Sequence, residues 1–158
     1  MSQSSLDALR EFHLAMGLDA PERYTQPQQS AQARVGQAIL SEALAGLSES
    51  LKSLGAIHDN DVTFLRFRLI VEELAEVSEA LLDGDPRQVL WEVCDLIYVV
   101  SGLAVTLGLD RAVPEAFQRI HEANMSKLDD DGNPVREPGG KIIKGPNYQK
   151  ADLSDIEL

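Results

Sequence analysis

Residues 61–108 read DVTFLRFRLIVEELAEVSEALLDGDPRQVLWEVCDLIYVVSGLAVTLG. Phe67, Ile70, Leu74, Val77 and Leu81 recur at the three-and-four spacing of a helix with one buried face. Asp83-Gly84-Asp85-Pro86 then breaks that helix and starts another, because proline suits a first helical turn and not an interior one. The pattern predicts helices over 62–82 and 87–107. In the second, Val89, Val93, Leu96, Val100 and Leu103 share one face, and further apolar residues lie around it, so much of this helix is expected to be buried. The connection at 82–86 is short enough to make the pair antiparallel.

Outward from this pair, Leu6, Leu9 and either Phe12 or His13 predict a helix over 6–16, with Ser4 or Ser5 as cap and Gly17 as stop. Residues 18–33, with Pro21, Pro27 and four glutamines, read as a loop. A stripe through Val35, Ile39, Ala43, Gly46 or Leu47, Ser50 or Leu51 and Leu54 predicts a surface helix over 35–54 that ends at Gly55. Residues 59–61 offer caps for the next helix. A last helix is expected over 110–128, on Val113, Phe117, Ile120 and Leu128, with Pro114 tolerable only in its first turn. Residues 129–158 hold four glycines and three prolines and should be extended or looped.

The fold class is therefore all-α: an antiparallel helical bundle, one domain over 1–158, with a loop-rich flap at 129–158. The apolar surface around 87–107 predicts homodimerisation, since burying each further Leu or Val contributes roughly 1.5–3 kcal/mol.

Composition narrows the function. The net charge of -12 disfavours non-specific nucleic-acid binding, which needs a basic footprint. The first residues lack the charged and apolar pattern of a signal peptide. The apolar run at 96–109 is short for a bilayer and interrupted by Ser101, Thr106 and two glycines. A cytoplasmic protein without a membrane partner is expected, with its single cysteine, Cys94, a buried structural thiol.

The carboxylates carry the chemistry. At about 100° per residue, Glu72, Glu76 and Glu79 form one stripe, and Glu73 reaches the same space from its edge. Glu92 and Asp95 share a face of the next helix. Residues 72–95 hold eight acidic side chains against one basic, Arg87. A solvated acidic face explains any one of them. It does not explain Glu92 and Asp95 inside an apolar helix, where an unpaired carboxylate costs several kcal/mol to desolvate. Divalent ions are the economical compensation, and all-oxygen ligands suit Mg²⁺ or Mn²⁺. A di-iron site would need Glu-x-x-His pairs, which His13, His58 and His121 do not supply. Neither an EF-hand nor a phosphate-binding P-loop matches.

Downstream, Asn124 and Lys127 share a helix face. Arg136, Lys141, Lys144 and Lys150 follow, with Tyr148 in the run Lys141-Ile142-Ile143-Lys144-Gly145-Pro146-Asn147-Tyr148. A solvated tail accounts for them as composition; a flap closing cations over phosphates is the functional reading. Trp91, Phe64 and Phe67 read first as core, with a base pocket as the alternative.

Glu73-Leu74-Ala75-Glu76 and Glu92-Val93-Cys94-Asp95, with Glu72 before them and the Asn124–Lys127 and Lys141–Tyr148 patterns after, resemble the all-α nucleoside triphosphate pyrophosphohydrolases, the group of MazG-like proteins and dimeric dUTPases. The resemblance covers roughly residues 62–153, and 28–60 look like an added helical region. It implies a homodimer that uses Mg²⁺, with Mn²⁺ as substitute, to split a nucleoside triphosphate between its α and β phosphates. Metal ligands would be Glu73, Glu76, Glu92 and Asp95. Glu72 or Glu79 would complete the shell or orient water. Arg136, Lys141 and Lys144 would hold the phosphate chain, Asn124 and Lys127 would orient it, and Tyr148 would pack or donate a hydrogen bond. dUTP leads as substrate, with noncanonical deoxyribonucleotides close behind. The rivals are a phosphoribosyl-ATP pyrophosphohydrolase and a non-catalytic, metal-stabilised helical interaction module.

Overall fold

The computed structural model describes residues 3–25, 28–55 and 61–158. Its helices are α1 (Gln3–Ala15), α2 (Ala31–Gly55), α3 (Val62–Asp83), α4 (Pro86–Thr106) and α5 (Val113–Met125), and the described residues contain no strand beyond two isolated bridges. The fold is all-α. Two compact units form, one from residues 1–22 and 109–158, the other from 23–108.

In the 23–108 unit, α3 packs against both α2 and α4. Asp61 caps α3, its carboxylate accepting from Phe64 N at 2.9 Å. Gly84 closes α3 at φ 78°, a left-handed value that a side chain resists. Asp85 caps α4 through Arg87 N, and Pro86 takes its first turn. Arg66 Nε donates to Thr106 Oγ1 at 2.8 Å, tying the start of α3 to the end of α4. Of the other candidate caps, Asp59 and the side chain of Ser4 lie outside the described residues, as does His58. Ser5 falls inside α1.

Helices α3 and α4 arrive where the pattern placed them, while α2 starts earlier than expected, at Ala31, and the buried faces differ from those expected. The side of α2 turned to α3 carries Gln37, Ser41, Leu44, Ser48, Leu51 and Gly55, with Ser48 and Gly55 buried. Small residues win that contact because they let the backbones approach: a Cβ on Gly55 would meet Arg68 at 3.4 Å. The expected α2 stripe of Val35, Ile39, Leu47 and Leu54 is exposed. On α3, Phe67, Leu74 and Leu81 are exposed as well, while Val71 and Ala80 are buried.

On α4, the half-buried Val89, Leu96, Val99 and Leu103 form the inner seam with buried Glu92. Leu90, Trp91, Cys94, Tyr98 and Val105 stand on the outside. The expectation that much of α4 is buried therefore fails within one chain. So do those of a buried Cys94 and of Trp91 and Phe67 as core: Trp91 is 67% and Tyr98 79% exposed. Among the described residues, no second element of this unit covers that side. By length and composition, α4 is also the one described helix apolar enough to cross a membrane.

In the other unit α1 packs on α5. Met16 is fully buried, and His121 is buried with its Nε2 3.4 Å from Glu11 Oε2. Helix α5 is shorter than expected at both ends. The Pro114 ring would clash with a helical carbonyl at Asp110, so α5 begins at Val113.

The arm after α5 is more ordered than a loop. Two tight turns, Asp129–Gly132 and Glu137–Gly140, close with Gly132 N to Asp129 O at 3.0 Å and Gly140 N to Glu137 O at 2.8 Å. Each ends on a left-handed glycine, φ 78° and 83°, the turn-plus-bulge geometry of a short hairpin. Bridges Leu128–Pro134 and Arg136–Ile142 follow from them. Gly145 then passes so close to the end of α5 that a Cβ would lie 2.9 Å from Val135 Cγ2 and 3.0 Å from Lys127 O. Asn147 Nδ2 donates to Asp130 Oδ1 at 2.9 Å. Arg119 anchors the last residues through the Asp152 carbonyl at 2.8 Å and the Asp155 carboxylate.

Gly145→Ala is expected to destabilise the chain by roughly 1–3 kcal/mol, the usual cost of overpacking, read as a lower thermal midpoint. An unchanged midpoint would show that the arm does not hold this close approach.

Candidate metal centre

Two antiparallel helices with acids three residues apart should bring those acids together, and α3 and α4 do so. A carboxylate oxygen from each of Glu73, Glu92 and Asp95 lies within 4.8 Å of the others. Glu92 is 6% exposed although it occupies a seam position that apolar residues hold elsewhere on α4. Its Oε1 accepts from Gln88 Nε2, one turn earlier. Its Oε2 is buried with no hydrogen-bond partner, and so is Glu73 Oε2. Two orphaned carboxylate oxygens in one cluster are costly, because a buried charged acceptor loses its hydration with nothing in return.

The electrostatics agree. Glu73 holds its proton above the ordinary carboxylate range, first because burial disfavours the anion and then because Glu76, Asp95, Glu92 and Glu72 repel it. Burial also raises Glu76, with Glu92 as the next cause and Lys52 opposing.

The donor set fits a hard divalent cation. Carboxylate oxygens are the ligands that Mg²⁺ takes, and Glu73, Glu92 and Asp95 offer one each. Nothing in the cluster offers the sulfur or imidazole that zinc prefers.

The other acids take different positions. Glu72 is turned to cations instead: Lys52 Nζ lies 3.0 Å from Oε1 and Arg68 Nη1 3.5 Å from Oε2. The shortage of basic partners expected from residues 72–95 is thus relieved for Glu72 by Lys52 of α2 and Arg68 of α3. Those carboxylates raise the Lys52 ammonium in turn, Glu72 first and Glu49 second. Glu76 is exposed next to Glu92, and Glu79 is exposed one turn on. Both line the groove between α3 and α4 with Asp83, Asp85, Gln88 and Glu92, an open space of about 460 Å³.

The candidate phosphate contacts belong to the 1–22 and 109–158 unit and are described within it. Arg136 donates to the carbonyls of Gly140, at 2.7 Å, and Met16. It therefore clamps the arm to the end of α1, an occupation its sequence position did not announce. Lys144 Nζ stands 4.5 Å from the Tyr148 ring centroid, and Lys127 Nζ 5.9 Å from that of Phe12. Asn124 is half-buried on the last turn of α5 and Lys141 is exposed.

Sequence reasoning passed over Lys52 and Gln88. Lys52 left no local signal, since its partner comes from another helix. Gln88 left one: it lies four residues before Glu92, within side-chain reach on the same helix face.

A raised carboxyl pKa binds protons more tightly in the folded chain than in the unfolded one. Its stabilisation is complete below the ordinary pKa of 4.5 and is lost as pH rises through the raised value. The metal-free chain should therefore lose thermal stability as pH rises above 4.5, and Glu73→Gln should flatten that slope. Equal slopes in the two proteins would remove Glu73 as the cause.

Residues 48–124 match the family model described as phosphoribosyl-ATP pyrophosphohydrolase, a span that contains all of α3 and α4. No curated protein and no solved structure matches the chain.

Proposed function

We propose that this chain, which belongs to the all-α nucleoside triphosphate pyrophosphohydrolase superfamily, is a divalent-metal-dependent enzyme that splits a nucleotide triphosphate between its α and β phosphates, giving a monophosphate product and pyrophosphate. The observation that carries this reading is the pair of unpartnered, buried oxygens on Glu73 and Glu92 beside Asp95. A folded chain does not keep such a cluster for stability, whereas a cation compensates it.

Glu73, Glu92 and Asp95 would hold Mg²⁺, or Mn²⁺ in its place, and Glu76 would join them by a side-chain rotation from the groove. A bound divalent ion supplies Lewis-acid polarisation of phosphoryl oxygens and an acidified water. Glu79, exposed on the same groove, would orient solvent. Glu72, held by Lys52 and Arg68, acts as a fixed neighbour that steadies α3 against α2. Assignment of Asn124, Lys127, Lys141, Lys144 and Tyr148 to the phosphate chain rests on their sequence pattern. Arg136, engaged by two carbonyls, is the weakest member of that set.

Two substrates lead. dUTP follows from the resemblance to dimeric dUTPases; phosphoribosyl-ATP follows from the description of the matching family. A panel of both, with the common NTPs and dNTPs, separates them by direct pyrophosphate release. Glu76→Ala is expected to cut metal-dependent turnover by more than about 100-fold, the upper range for outer-shell partners of a metal, with helical content retained. Turnover at the wild-type level would end the assignment of Glu76.

The exposed row of Leu90, Trp91, Cys94, Tyr98 and Val105 supports a homodimer that covers α4. Labelling of Cys94 by a thiol reagent should slow as protein concentration rises. A rate independent of concentration, with a monomeric mass, would count against that assembly.

A further inference from the structure

Gln88 has no place in the acidic pattern, yet its side chain hydrogen-bonds the buried carboxylate of the cluster. Its side-chain amide donates to Glu92 Oε1, while Glu92 Oε2 has no partner. Both residues lie on α4, four apart, and both line the groove with Glu76 and Glu79. A carboxylate bonded at one oxygen only has its rotation fixed and its other oxygen committed to one direction. Glu92 is 6% exposed, so water does little of this work.

An exposed Gln–Glu pair at this spacing would be an ordinary helix ornament worth about 0.2–0.5 kcal/mol. Here the acceptor is buried and belongs to the cluster that lacks compensation. Other donors are poorly suited to the task. A lysine or arginine at 88 would bring a positive charge that competes with a cation, and a carboxylate would add repulsion. An amide supplies the hydrogen bond without charge.

We infer that Gln88 is a positioning residue: by donating to Glu92 Oε1 it presents Oε2 to the divalent ion. The inference rests on the metal-site reading above and adds to it a residue outside the acidic motif. Outer-shell partners of this kind govern metal affinity through the orientation of the ligand they hold.

The test is Mn²⁺ binding to the full-length chain without nucleotide, by titration calorimetry and by the loss of free-ion paramagnetic signal. Three proteins are compared: wild type, Gln88→Met, which keeps the length but removes the donor, and Glu92→Gln. Circular dichroism confirms that all three are helical. Gln88→Met is expected to weaken Mn²⁺ binding about 10- to 100-fold, with Glu92→Gln weaker still. A second variant, Gln88→Asn, keeps the amide but falls one methylene short, and should bind as poorly as Gln88→Met.

If Glu92→Gln loses the ion while Gln88→Met binds like wild type, the role of Gln88 is overturned and the metal site stands. If Glu92→Gln also binds like wild type, the metal reading of Glu92 falls and takes the role of Gln88 with it.

Discussion

A carboxylate in the seam between two helices constrains everything around it. Glu92 takes a position that Leu or Val would fill at a gain of roughly 1.5–3 kcal/mol, and it faces Glu73 and Asp95 instead of a cation. Repulsion among these groups opposes the packing of α3 on α4. The remaining contacts of the unit therefore have to hold the helices together: the half-buried Val89, Leu96, Val99 and Leu103 of the seam, Gly84 in the turn, and Arg66 across to Thr106 at the far end. Such an arrangement holds the pair together against the repulsion among its acids.

The sequence reveals this pair of helices better than it reveals what surrounds them. Asp83 to Pro86 is a stop and start with a mechanism, so the elements and their antiparallel order follow from it. Period identifies which positions are apolar but not which partner covers them. On α2 the small residues Ser48 and Gly55 take the contact with α3, and Val35, Ile39 and Leu47 stay outside. The same uncertainty hid the exposure of Cys94 and Trp91. Within the candidate site, acids three residues apart were enough to bring Glu73, Glu92 and Asp95 together. The diversion of Glu72 to Lys52 depends on a third helix and has no local trace. Likewise nothing near Arg136 indicates that its guanidinium closes on the end of α1.

The arm after α5 shows how turn chemistry can build order out of apparently irregular sequence. Its glycines and prolines are read as breakers, and two of those glycines do end tight turns at positive φ. Gly145 has another role: it lets the chain touch the Lys127 carbonyl, which no larger residue permits. The basic residues of this segment are thus carried on a backbone pinned by Asn147 and Ser126. Charge placed on such a support has a defined position relative to α5.

The first and last stretches of the chain share a unit that the middle stretch interrupts, and this bears on the order of assembly. Residues 23–108 are complete once α4 has left the ribosome, and their contacts are mostly between neighbours in sequence. Helix α1, synthesised before α5, has to wait for it and for Arg136 before its own side is covered. Closing so long a loop is entropically expensive, although the cost grows only slowly with length. Nascent chains should thus acquire their acidic pair early and close α1 onto α5 late, leaving the Met16 region accessible to chaperones until then.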